Sequence, residues 1–207
     1  MARGSGFWNV LAKRYARQKI ADPAAYERKL ECTRRYLSAQ AEVLEFGCGT
    51  GSTALLHAPH VRSIRAIDYS DRMIAIARAK AADQGIGNVT FEVGELGGPS
   101  EPENSYDAVL GLNILHLLPD WDAAIAEVFG LLRPGGVFVS STACLEGTMR
   151  AARPLFQVAG ALGLLPRVMF LSEDRLIGAI TGAGFEIVEH WSHAKGRAVF
   201  VVARKPG

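Results

Sequence analysis

The chain has 207 residues, 49% of them hydrophobic, with 23 Lys and Arg against 21 Asp and Glu. That composition excludes a disordered chain, a collagen and a coiled coil, and the length suffices to bury roughly 70% of the unfolded surface. A formal charge of +2 is too small to make nucleic acid the main partner.

Residues 1–40 hold nine Lys or Arg against three acids, a net +6 that leaves −4 for the rest. Phe7, Trp8, Val10, Leu11 and Tyr15 form an apolar stripe among these charges and predict an amphipathic helix. Such a basic segment either closes over a site or attracts an acidic substrate or an anionic membrane surface.

Short apolar runs follow at Glu42–Phe46, Ile64–Asp68, Val89–Val93, Tyr106–Leu112 and Gly136–Thr142. Their content of Val, Ile, Leu and Phe predicts strands buried on both faces. Between them Ser70 caps a helix running to Ala81, and a second helix opens at Asp120 or Trp121 and stops at Arg133-Pro134-Gly135-Gly136. Alternation of strand and helix predicts a mainly parallel sheet with helices on both faces, an α/β fold. A helix over Glu173–Ala183 then leads to strands at Phe185–Trp191 and Arg197–Ala203. The link between these two, Ser192–Gly196, is too short for a crossover helix, so they run antiparallel.

No run reaches the roughly 18–20 apolar residues that span a bilayer. The nearest, Pro154–Leu171, is broken by Gln157, Pro166 and Arg167. The N-terminus lacks the apolar centre of a signal peptide. Cys32, Cys48 and Cys144 make neither a CxxC pair nor a disulfide set. A cytoplasmic protein without integral membrane association is expected.

The densest signal is Glu45-Phe46-Gly47-Cys48-Gly49-Thr50-Gly51-Ser52, where a strand ends, glycines alternate and a helix begins. Glycine allows a tight turn and a ligand's close approach, and exposed amides at a helix start favour a polar group. Asp68 closes the second strand 19 residues after Gly49. A carboxylate there can accept from both hydroxyls of a ribose. Glu45 would repel a pyrophosphate but suit a cationic ligand, and Ser52 stands where a dinucleotide fingerprint needs its third glycine. Both features argue against a nicotinamide-dependent dehydrogenase.

EFGCGTG, AIDYS, FEVGEL, YDAVLGLNILHLL and LLRPGGVFV, in that order over residues 42–142, resemble the successive motifs of class I S-adenosylmethionine-dependent methyltransferases. The nearest likeness is to the small-molecule ubiquinone and menaquinone biosynthesis methyltransferases. The resemblance implies a Rossmann-like seven-stranded sheet whose last strand is antiparallel. It implies S-adenosylmethionine as cofactor and S-adenosylhomocysteine as product. Gly47, Cys48 and Gly49 would line the methionine portion, with Glu45 near its amino group and Tyr15 close by. Asp68 would hold the ribose, Tyr69 and Met73 would pack on the adenine, and Glu95 and Leu96 would meet its edge. Many family members have Asp where Glu95 stands. Asn113 would face the methionine portion and the acceptor.

Methyl transfer from a sulfonium is a direct displacement, so a general base is needed only where the acceptor must lose a proton. His116, just past the fourth strand, is the first candidate for that base, and packing under the following loop is the alternative. His190 and His193, on an edge strand, stand too far away. His57-x-x-His60 and His190-x-x-His193 lack further ligands at zinc spacing, so no metal is expected. Gly111-Leu112-Asn113-Ile114 replaces the Asn-Pro-Pro-Tyr type used on nucleic-acid amines, which favours an oxygen, carbon or sulfur acceptor.

Residues 1–207 thus read as a single domain, with 1–40 a helical extension over the cofactor site and 145–171 a lid insertion. Leu155–Phe170 is expected to form a lid helix over an apolar acceptor pocket, core packing or a dimer surface being the other readings. The expected partner is a small molecule, and the expected state a monomer or homodimer. The rival from another class is a non-catalytic cofactor-binding or regulatory protein.

Overall fold

The computed structural model describes residues 5–97, 102–149, 152–161, 165–193 and 198–207. Two helices, α1 (Ser5–Ala16) and α2 (Pro23–Arg34), precede the sheet. Then come β1 (Glu42–Phe46), α3 (Ser52–His57), β2 (Ser63–Asp68), α4 (Asp71–Asp83), β3 (Val89–Val93), β4 (Tyr106–Leu112), α5 (Trp121–Leu131) and β5 (Leu132–Ala143). The C-terminal part holds α6 (Glu146–Met149), α7 (Arg153–Ala161), α8 (Glu173–Gly182), β6 (Glu186–His193) and β7 (Ala198–Arg204).

Seven strands form one sheet in the order β3-β2-β1-β4-β5-β7-β6. β1 to β5 pair in parallel, and β7 runs antiparallel to both its neighbours. The last strand therefore inserts between β5 and β6, leaving β6 at the edge. Strand alternation sends Val43, Leu110, Val139 and Phe200 to the face covered by α3 and α4, where Leu55, Ile74 and Ala77 meet them. Leu44, Val109, Phe138 and Val201 go to the opposite face, under Ile125, Val128, Leu176 and Ile180 of α5 and α8. Each such side chain, fully enclosed, contributes roughly 1.5–3 kcal/mol.

Local signals explain the helix starts. Asp22 Oδ1 accepts from Ala25 N at 2.9 Å ahead of Pro23, and the Ser70 and Ser172 hydroxyls accept from Met73 N and Arg175 N.

Three sequence expectations need correction. β5 begins at Leu132 rather than Gly136, because α5 ends at Leu131 and the Arg-Pro-Gly-Gly stretch continues the strand past a register shift between Tyr106 and Ala108. Val10 is 78% exposed and lies off the packed face of α1, which carries Ala12 inward. Of the helix expected over Leu155–Phe170, the described part spans Arg153–Ala161, 162–164 lie outside the described residues, and 165–170 are not helical. Pro166 lacks the amide that a continuing helix requires and pushes Leu165 away from helical geometry. Most of the link expected at Ser192–Gly196 also falls outside the described residues. No helix among the described residues is long and apolar enough to cross a membrane.

Candidate active site

The carboxyl ends of the parallel strands form the edge where open α/β sheets bind ligands. β1 delivers the chain there into Gly47, Gly49 and Gly51, all left-handed, with φ of 65°, 55° and 73°. A Cβ on Gly47 would stand 2.6 Å from the Ile114 side chain, and one on Gly51 2.6 Å from the Phe91 ring. On Gly49 the nearest atom would be the Tyr15 ring, 3.9 Å away. The outer two glycines thus serve packing, and the middle one faces open space beneath Tyr15. Lys80 of α4 braces the exit of the loop, its ammonium donating to Thr50 O at 3.1 Å, Thr50 Oγ1 at 3.0 Å and Ser52 Oγ at 3.0 Å.

Asp68, at the tip of β2, ties two loops together. Its Oδ2 accepts from Gly49 N at 2.9 Å, and its Oδ1 accepts from Ser70 N at 2.8 Å. Burial raises its carboxyl pKa, and these two bonds oppose the rise. Each oxygen keeps acceptor capacity for a further donor. Glu45 differs. It is 3% exposed, and its Oε2 has no hydrogen-bond partner. Burial first, then the charge of Asp68, pushes its carboxyl up to about 8.

Tyr69 is half-buried, its hydroxyl pushed up to about 12 by burial and by Asp68 and Glu95. Met73 is buried in the first turn of α4, while Glu95 is exposed and Leu96 half-buried just beyond β3. Asn113 follows β4 in left-handed conformation, φ 58°, its N–H donating to Ser141 O at 2.7 Å. Asn tolerates that conformation better than most residues do.

His116 sits in a single 3₁₀ turn, Leu115–Leu117. Its Nδ1 accepts from Ala143 N at 3.4 Å, its carbonyl accepts from Met169 N at 2.7 Å, and burial pulls the imidazole down to about 4. It is a neutral ring enclosed by the end of β5 and the segment before α8. Cys48 is buried, and burial drives its thiol far above the range in which thiols react. His190 Nε2 lies 2.7 Å from Glu173 Oε1 on α8. Among the described residues, no three His, Cys, Asp or Glu side chains gather as a metal site.

The two N-terminal helices reach the same edge. Asn9 Oδ1 of α1 accepts from Ser70 Oγ at 2.5 Å, and Arg72 donates to the Asn9 carbonyl at 3.3 Å. Tyr15 lies beyond them, nearly half exposed, in edge contact with Trp8. From α2, the Tyr26 hydroxyl and Thr53 Oγ1 stand 3.3 Å apart, and Lys29 Nζ donates to Ser141 Oγ at 2.8 Å. The sequence reading singled out neither Lys29, Lys80, Tyr26 nor Ser141. These contacts join distant segments, and no local pattern marks them.

A family described as methyltransferase domain matches residues 43–136. An uncharacterized methyltransferase, YcgJ, of Bacillus subtilis is 31% identical over 101 residues, 49% of this chain and 40% of that protein. A ubiquinone biosynthesis O-methyltransferase of Sinorhizobium medicae is 25% identical over 221 residues, covering 96% of this chain and 85% of that protein. The chain covers well under two thirds of the first curated relatives, 40%, 38% and 35% of their lengths. Among solved structures, an S-adenosylmethionine-dependent methyltransferase from Mesorhizobium loti superposes with a TM-score of 0.74 at 21% identity, covering 89% of this chain and 99% of that one. That likeness carries the fold.

Proposed function

We propose that this chain, whose residues 43–136 match a family described as methyltransferase domain, is an S-adenosylmethionine-dependent enzyme that transfers a methyl group to a small, partly hydrophobic molecule. The observation that carries the reading is Glu45, a buried carboxyl with an unpartnered oxygen beside the glycine turn. Such a group is costly unless a cation or donor reaches it. A ligand bearing an ammonium and a sulfonium lets it ionise and pair, whereas a dinucleotide's pyrophosphate would keep it protonated and leave it without a cation.

S-adenosylmethionine, when bound, supplies a methyl group already activated by its positive sulfur. The protein's residues then hold and orient. Glu45 would pair with the amino group, and the Gly47–Gly49 turn, whose Cys48 and Gly49 amides already bond Ile67 O and Asp68, would line the methionine portion. Asp68 uses its free lone pairs on the ribose hydroxyls. Tyr69, Met73 and Leu96 pack on the adenine, with Glu95 at its edge. Tyr15 and Asn113 would flank the reacting end, with α1 closing over it and α7 covering the acceptor. Transfer breaks the sulfur–methyl bond as the acceptor's lone pair forms the new one, so alignment and exclusion of water are the main demands.

A base is required only for an acceptor that loses its proton on transfer, and His116, held near 4, is a weak one. An acceptor already ionised needs none. The motif after β4 lacks the Asn-Pro-Pro-Tyr type, and relatives are named for ubiquinone and menaquinone methylation. Both support an oxygen or carbon acceptor on a small molecule over a nucleic-acid amine.

Thermal unfolding with added ligand tests the reading. S-adenosylhomocysteine should raise the midpoint and NAD(H) should leave it unchanged. Stabilisation by NAD(H) alone would reverse the choice of cofactor. Cofactor binding without turnover on any oxygen, carbon or sulfur acceptor would favour a regulatory binding protein.

A further inference from the structure

Among the described residues at the strand edge, Lys29 is a cation with no part in methyl-donor binding as proposed. Lys29, half-buried on α2, donates to Ser141 Oγ at 2.8 Å, and among the described residues no carboxylate lies within 4.0 Å of its ammonium. An ammonium has three N–H donors, so two remain free. Burial lowers its pKa to about 8, opposed only in part by Asp22 at the start of α2, so the group stays protonated at neutral pH under strain.

Its place matters. The carbonyl of the same Ser141 accepts from Asn113 N, which binds the end of β4 to that of β5. One turn earlier on α2, Tyr26 meets Thr53 at the start of α3, just past the glycine loop. The ammonium therefore lies at Ser141, two residues before the end of β5 and paired with Leu112, the last residue of β4, next to the Asn113 that on the reading above would face the acceptor. The surrounding N-terminal segment is net +6.

We propose that Lys29, with the Ser141 hydroxyl, is the recognition site for an acidic oxygen on the acceptor, so that the substrates are small organic anions bearing a carboxylate. This rests on the methyltransferase reading and narrows its substrate class. The anion takes the two free N–H donors of Lys29 and turns a buried, unpaired charge into a charge-assisted pair. The acceptor is thereby held by its acidic end while its nucleophilic atom faces Asn113.

The test uses the full chain saturated with S-adenosylhomocysteine, titrated with benzoate, 4-hydroxybenzoate, phenylacetate and, as the neutral control, benzamide. Wild type and Lys29→Arg should bind at least one carboxylate. Lys29→Met should weaken that binding by about tenfold or more, the weight of a charge-assisted hydrogen bond. Lys29→Gln is the second variant should Lys29→Met unfold, and benzamide should not discriminate between any of them. Equal carboxylate binding by wild type and Lys29→Met, or no carboxylate binding at all, overturns the proposal. S-adenosylhomocysteine affinity is read separately. If wild type fails to bind it, the methyltransferase reading falls, whereas normal cofactor affinity with anions indifferent to Lys29 removes only the anion site.

Discussion

The edge of the sheet is built in two different ways. On the donor side, over β1 to β3, backbone does most of the work. Three left-handed glycines, the amides of Gly49 and Ser70 and one aspartate define the site within residues 45–70. On the side proposed for the acceptor, over β4 and β5, far-separated segments are joined by side chains: Lys29 of α2 bonds Ser141 of β5, and His116 of the turn after β4 accepts from the Ala143 amide. A backbone-defined site binds one ligand in one place. One assembled from long side chains changes specificity with a single substitution.

The sharpest break of this contrast lies within the glycine loop. Gly51→Ala forces a Cβ to 2.6 Å from Phe91 and 2.8 Å from Ala77 in a left-handed conformation. Overpacking and that conformation together cost about 3–4 kcal/mol, which thermal unfolding will show as a large drop in Tm. Gly49→Ala pays only the conformational part, about 1–2 kcal/mol, and should instead impair S-adenosylhomocysteine binding. Equal losses of stability at the two positions would mean that the loop is not divided into packing and ligand glycines.

Next in size is the pH dependence of stability. His57 is fully buried with both ring nitrogens unpartnered, and burial, Arg34 and His60 pull it down to about 4. The unfolded chain binds a proton near 6.5 that the folded chain refuses until about 4, so stability falls as pH drops through that window. The loss is roughly 2 kcal/mol by pH 5. Chemical denaturation at pH 7 and pH 5 measures it, and His57→Met should flatten the slope by about as much as His116→Gln, because burial draws both rings down to about 4. A steeper contribution from His116 would place the tighter enclosure on the acceptor side.

A smaller effect concerns Glu45. Held near 8 in the free protein, it is protonated at neutral pH and must ionise to pair with an ammonium. Donor binding therefore releases a proton, and affinity should rise between pH 6 and 8 by up to about 1.4 kcal/mol per pH unit. Calorimetry in two buffers of different ionisation enthalpy reads the released proton, and Glu45→Gln should abolish it.

Much of the donor side was legible in the sequence because its signals are local. Alternating glycines, an aspartate closing a strand and a serine before a helix each state their geometry within a few residues. The Ser70 cap and the helix it opens, expected to Ala81 and observed to Asp83, followed from such a pattern. On the acceptor side Asn113 and His116 were legible from their place after β4, but Lys29 was not, because its bond to Ser141 spans 112 residues and depends on how two layers stack. Val10 misled for a related reason: hydrophobicity places a residue on a helix, but only packing says which face is covered. Asp68 was read as a ribose ligand, yet its two bonds to backbone amides appear only once the loops after β1 and β2 lie side by side.

The central claim is that a cationic donor lies over the turn after β1 with its sugar held by Asp68. Calorimetric titration of S-adenosylhomocysteine into wild type and Asp68→Ala at one pH tests it most directly. The account predicts one-to-one binding by wild type, weakened in the variant by about 1.5–3 kcal/mol, the scale of hydrogen bonds to a charged group. A variant that stays folded with an unchanged dissociation constant, or a wild type that gives no binding heat and no thermal shift, would contradict it.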